Sequence, residues 1–120
     1  MMRKAGTHVH AAVLRAINRI ADGTLPDRQK PVLIVEDIRS EDWASVTFIG
    51  ATHALDLRLE GDADAVAAAT RRLTSELAEY DIPVAGQIVA DIAVTLSSVA
   101  AAANNNIAQL LTVNLLTVSD

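Results

Sequence analysis

The chain has no cysteine, so neither a disulfide framework nor a thiolate zinc site holds it together. Aromatic residues are almost missing: Trp43, Phe48 and Tyr80 are single examples of their kind. Three rings are too few for the stacking platform that binds single-stranded nucleic acid. Positive charge is short as well. Lys and Arg number 10 against 15 Asp and Glu, giving a formal charge of −5 and a pI near 5.0. Acidic surfaces repel phosphate backbones, so no nucleic-acid partner is expected. Neither a catalytic serine motif, a glycine-rich phosphate loop nor a calcium loop occurs. The basic start, Arg3-Lys4, is not followed by an apolar run of signal-peptide length. The expectations are therefore no cofactor, no metal, no membrane partner and a cytoplasmic location.

What is present is aliphatic. Hydrophobic residues make up 51% of 120 positions, mostly Ala, Val, Leu and Ile. That length suits one domain, residues 1–120, which buries roughly two-thirds of the surface its unfolded chain exposes. Val9, Val13, Ile17 and Ile20 recur at helical spacing, with Thr7 as the expected N-cap and Gly23 as the stop. A loop follows over 23–31, where Pro26 and Pro31 disfavour helix in the residues before them. Val32 to Ile38 reads as a strand, Ser40-Glu41-Asp42 as a turn, and Trp43 to Ile49 as a second strand.

Apolar parity changes at Gly50, from even positions (Val46, Phe48) to odd ones (Leu55, Leu57, Leu59). One extra residue flips the faces of a strand. Gly50-Ala51 is thus a hairpin turn or a bulge in one long strand, and Ala51 suits a turn poorly. Asp62 caps a second helix with the stripe Val66, Ala69, Leu73, Leu77 and Tyr80, and Arg71, Arg72, Glu76 and Glu79 on the water side. Asp81-Ile82-Pro83 ends it. A strand from Gln87 carries Ile88, Ala90, Ile92 and Val94 on one face and Val89, Asp91, Ala93 and Thr95 on the other.

From Ile92 to Ser119 no residue is charged. Residues 110–118 are strand-like and are expected to hairpin onto the preceding strand, with a helix from Ser98 through Leu111 as the alternative. The fold class that results is α+β, in the order α-β-β-β-α-β-β. It is an antiparallel sheet of four to five strands with two helices on one face. The first five elements follow the order of a double-stranded-RNA-binding domain. The acidic balance, and the lack of a lysine-rich start to the second helix, speak against that likeness.

Few residues carry chemistry. His8 and His10 form a His-x-His pair of the kind found on the first strand of barrel metallohydrolases. On a helix, residues two apart do not share a face, and the chain is too short for such a barrel. His53 joins the apolar face of Leu55, Leu57 and Leu59, where a tunable imidazole is a candidate acid or base. Asp56, Arg58, Glu60 and Asp91 fall on the opposite face, which argues against a His53–Asp91 dyad. Trp43 is a candidate contact residue, or a cover for the sheet edge.

The charge-free stretch, with Leu111, Val113 and Leu115 at its centre, lacks the usual defence against edge pairing. It points to a homo-oligomer, a dimer above all. The expected function is a non-enzymatic self-assembling or protein-interaction module. The alternatives are a small-molecule binding protein with an aliphatic pocket near His53, and an enzyme using His53 as general acid or base.

Overall fold

A computed structural model describes residues 2–23 and 30–119; the loop expectation at Pro26 lies outside the described residues. Helix α1 spans Met2–Asp22, strand β1 Val32–Ala44, strand β2 Ile49–Gly61, helix α2 Ala63–Glu76, strand β3 Gln87–Ala101 and strand β4 Ile107–Ser119. The four strands form one antiparallel sheet in the order β1-β2-β4-β3. The fold class is the expected α+β arrangement, with one strand fewer than the longest version of it. The strands are long, 13 to 15 residues each, and the molecule is elongated, 51 × 24 × 23 Å.

Both helices lie on the sheet face that carries the odd-numbered residues of β2 and β4. There Leu55, Leu57, Leu59, Leu111 and Val113 meet Val9, Val13, Ile17, Val66, Leu73 and Leu77 in one buried core. The stripe of α1 and the Val66, Ala69 and Leu73 stripe of α2 therefore sit where their spacing places them. Helix α2 stops at Glu76, however, short of the expected Asp81-Ile82-Pro83. Leu77 is buried in a 3₁₀ turn over Leu77–Glu79, and Tyr80 is extended and partly buried. Helix α1 begins at Met2, so Thr7 stands inside it and is not its cap. Gly23 ends it with φ at +57°, a left-handed conformation that glycine adopts without steric cost. Asp62 caps α2 as expected, accepting from the backbone N–H groups of Asp64 and Ala65 at 3.1 and 3.3 Å.

Arg72 does not face water. Its Nε donates to the Ile20 carbonyl at 2.9 Å and its Nη2 to the Ala21 carbonyl. These belong to the last turn of α1, whose carbonyls have no helical partner of their own. A cation there also suits the helix dipole. Arg72 thus ties the end of one helix to the flank of the other.

The two strands expected over 32–49 are one. No turn forms at Ser40-Glu41-Asp42; β1 runs through it to Ala44, with a bulge between Val35 and Asp37. The turn lies at Ser45–Phe48, where the Ser45 N–H donates to the Phe48 carbonyl at 2.7 Å and the Phe48 N–H to Ser45 Oγ at 3.0 Å. Gly50 is neither a turn nor a bulge. It stands in register between Trp43 and Val118. The parity change is real, but Val46 and Phe48 belong to the turn and report no strand face. A side chain at 50 would put its Cβ 2.0 Å from the Thr117 carbonyl oxygen and 2.9 Å from the indole of Trp43.

In β3 the pairing slips between Val89 and Asp91, so Ile88 and Ile92 fall on opposite faces instead of sharing one. β4 is a strand from Ile107 and hairpins onto β3, which settles the helix alternative for residues 98–111. Asn104 and Asn105 make the turn at φ of +61° and +63°, a region that asparagine tolerates better than most residues.

Two outcomes are expected in urea denaturation. Arg72→Met leaves two carbonyls of α1 without a donor and lowers stability by about 1–3 kcal/mol. Gly50→Ala drives a methyl into the Thr117 backbone and costs a similar ~1–3 kcal/mol. A change below about 0.5 kcal/mol in either, the usual range for inert surface positions, contradicts the packing described.

Candidate functional site

His53 lies on the helix-facing side of β2, 4% exposed, at the point where α1 crosses the sheet. Four polar side chains meet there. His53 Nδ1 is 2.8 Å from Ser40 Oγ on β1 and 3.0 Å from His10 Nε2 on α1. His10 Nε2 is also 3.0 Å from Ser40 Oγ, so the three atoms form a near-equilateral triangle. On its other side, His53 Nε2 is 3.1 Å from Thr117 Oγ1 on β4. The two imidazoles stand edge to face, with centroids 4.9 Å apart.

The hydrogen bonds determine the tautomer. Thr117 donates its hydroxyl proton to the Ala51 carbonyl at 3.3 Å, so toward His53 it accepts. His53 Nε2 therefore carries the proton and Nδ1 presents a lone pair. That lone pair accepts from Ser40 or from His10. The polar atoms form a chain from half-buried His10, through Ser40 and His53, to Thr117 and the backbone. Both imidazoles have their pKa pushed below the ordinary 6.5: burial does this at His10, and at His53 burial comes first and the nearby His10 second, with Asp42 opposing.

The sequence placed His53 on the apolar face, and it is there. The partner was not foreseen. His8 and His10 do not work as a pair: His8 is exposed, and His10 turns to a histidine 43 residues away. Nor do they occupy the first turn, because α1 starts at Met2. Asp91 is exposed and pairs with Leu116, whereas His53 pairs with Leu115, so the two point to opposite sides of the sheet. Among the described residues, no group of three or more His, Cys, Asp or Glu is placed to hold a metal ion.

The opposite sheet face carries Asp56, Arg58 and Glu60, joined by β1. Arg39 Nη1 donates to Asp37 and to Asp56, each at 2.6 Å, and Thr112 donates to Asp56 at 2.8 Å. The Arg39 hydrogen bond, with that of Thr112 next, holds the Asp56 carboxyl below its ordinary range. Arg39 and Asp37 are about half exposed and Asp56, Arg58, Glu60 and Thr112 are half-buried, and pairs this open to solvent add little to stability. Leu111, Val113 and Leu115 lie on the other side, buried between β4 and the helices.

Among the described residues, Val46, Phe48, Ile49 and Ile88 are exposed apolar side chains at one end of the sheet, while Val32, Val35, Leu96 and Val99 are exposed elsewhere along its edge strands. Val46 is fully exposed at the hairpin tip; Phe48 and Ile49 beside it are 55% and 62% exposed. The register runs from Trp43 through Gly50 and Val118 to Ile88, which is 52% exposed. Trp43 is half-buried with its indole against Gly50, and its Nε1 is buried with no hydrogen-bond partner among the described residues. Beside Ile88, an open groove of about 450 Å³ is lined by Tyr80, Asp81, Ile82, Pro83, Val84 and Val89. A second cavity, of about 720 Å³, lies near Lys30, Glu60, Asp62 and Arg72. Neither of these two includes His53.

No family model matches the chain, and no curated protein matches it. Among solved structures it is similar to a chain described as "Virion of native gene transfer agent (GTA) particle". The TM-score is 0.67 at 15% identity, over 97% of this chain and 98% of that one. Similarity at that identity establishes the shared fold. Among the described residues, no helix is long and apolar enough to cross a membrane.

The histidine cluster generates a pH prediction. A histidine with a lowered folded pKa binds fewer protons folded than unfolded as pH falls. Its contribution is complete above the unfolded value near 6.5 and is lost as pH drops from there through the folded pKa. The melting temperature is expected to fall between about pH 7 and about pH 5. In the double variant His10→Leu/His53→Leu the fall is smaller, because no imidazole remains to be charged. Equal slopes in the two proteins would mean that the pair does not titrate with unfolding.

Proposed function

We propose that this chain is a non-enzymatic structural subunit that assembles with other protein copies into a larger particle. The observation that carries the reading is the exposed apolar end of the sheet on a molecule whose own core is already filled. Fully burying a Val, Ile or Phe side chain contributes about 1.5–3 kcal/mol. Val46, Phe48, Ile49 and Ile88 leave several such contributions unrealised at one end. Clustered apolar exposure of this kind marks contact surfaces, whereas isolated exposed residues do not. The similarity to a chain from a virion particle, nearly end to end in both chains, supports the same reading. The charge-free tail divides into two parts. β4 is central and its helix-facing side is buried, whereas much of β3 is uncharged, exposed and at an edge. Edges without charge are open to pairing with another chain.

A second reading has one observation behind it. The Ser40 hydroxyl stands 2.8 Å from a His53 Nδ1 that holds a lone pair, the geometry of a base beside a weak nucleophile. In that reading His53 accepts the Ser40 proton. A fluorophosphonate probe would then label Ser40, and His53→Ala would abolish the labelling.

Native mass spectrometry of the untagged protein tests the first reading. A discrete oligomer with no added mass is expected. A monomer up to the solubility limit, with or without a bound small molecule, contradicts it.

A further inference from the structure

The apolar hairpin tip and the groove beside β3 occupy opposite edges of the sheet at the same end. The tip joins β1 to β2, and β1 is one edge strand. The groove lies between the segment 80–85 and the start of β3, and β3 is the other edge. One register row, Trp43 to Gly50 to Val118 to Ile88, connects the two levels. Copies standing side by side in the same orientation therefore bring the tip of one to the groove of the next.

The chemistry of the two surfaces matches. The tip presents Val46, Phe48 and Ile49, and the groove offers Ile82, Pro83, Val84 and Ile88. The tip segment, residues 43–55, carries no Asp, Glu, Lys or Arg, and Asp81 is the one charged residue lining the groove, in a chain of net charge −5. Like-charged subunits repel, so a contact between them is little opposed where one side carries no charge. Shape decides between arrangements. Two projecting tips meeting across a twofold axis cover little of each other and leave both grooves open. A tip seated in a groove covers both surfaces.

We propose that copies of this chain associate head to tail, the Val46–Ile49 hairpin tip of one copy seated in the Tyr80–Val89 groove of the next. Such an interface uses two different surfaces of each subunit, so every copy has one of each to offer, and repetition yields a ring or an open row. This inference rests on the assembly reading above and specifies its interface.

The test uses two full-length variants, Phe48→Asp at the tip and Ile88→Asp at the groove. Both positions are more than half exposed, so each variant is expected to fold, which circular dichroism checks. Each alone is expected to be a monomer in sedimentation velocity. Mixed in equal amounts, they are expected to form a dimer and nothing larger, because one intact tip meets one intact groove and no further contact remains. A twofold interface behaves otherwise: a tip-to-tip contact survives Ile88→Asp, and a reciprocal tip-and-groove pair stops at a dimer in the wild type. Variants that assemble like the wild type, or a mixture that stays monomeric, overturn the head-to-tail contact and leave the assembly reading standing. A wild-type protein that is itself monomeric overturns both.

Discussion

The structure depends on β4 having a strand on each side. It is a sheet interior strand in full, paired with β2 along one flank and β3 along the other over nearly its whole length. A backbone in that position satisfies its polar groups on both edges, and a charged side chain on its helix-facing side would be stranded in the core. Leu111, Val113 and Leu115 fill that side, against the helices and level with Leu57, Leu55 and His53 on β2. The absence of charge on the helix-facing side of β4 is thus a condition of the monomer's own fold. The same absence beyond Asp91 on β3, an exposed edge, serves no such purpose within one chain.

The helices are joined by polar contacts as well as by apolar ones. Arg72 of α2 closes the last carbonyls of α1, and His10 of α1 reaches the sheet at Ser40 and His53. The first acts at the C-terminal end of α1 and the second near its middle. The first is a permanently charged donor on helix carbonyls and is indifferent to pH over the physiological range. The second is made of neutral imidazoles, whose hydrogen bonding requires that they stay uncharged. The grip on α1 is therefore stable at its C-terminal end and sensitive to acid near its middle.

Much of this was legible in the sequence, and the failures have physical causes. The core stripes of α1 and α2, the Asp62 cap and the odd face of Leu55, Leu57 and Leu59 follow from period and capping chemistry, which are local. Ser40-Glu41-Asp42 resembles a turn because an edge strand exposed to water tolerates the same polar residues that loops use. Val46 and Phe48 suggested a strand face because apolar alternation is read as burial, yet here the residues are exposed at a tip. The bulge in β3 inverted part of its face assignment, and no residue type announces a bulge of that kind. Asn104-Asn105-Asn106 was a signal in plain view, since asparagine accepts the left-handed turn it makes. The His10–His53 contact and the Arg72 cap join residues 43 and about 50 positions apart, and no local pattern encodes such a pairing.

The central claim is that the apolar end of the sheet is where copies of this chain meet. Hydrogen–deuterium exchange on concentrated and dilute protein tests it most directly. The account predicts added protection on concentration in two peptides, one covering residues 45–50 and one covering 80–90, with the polar face of β2 and β1 unchanged. Protection confined to the Asp56–Arg39 face, or no concentration dependence anywhere, would contradict it.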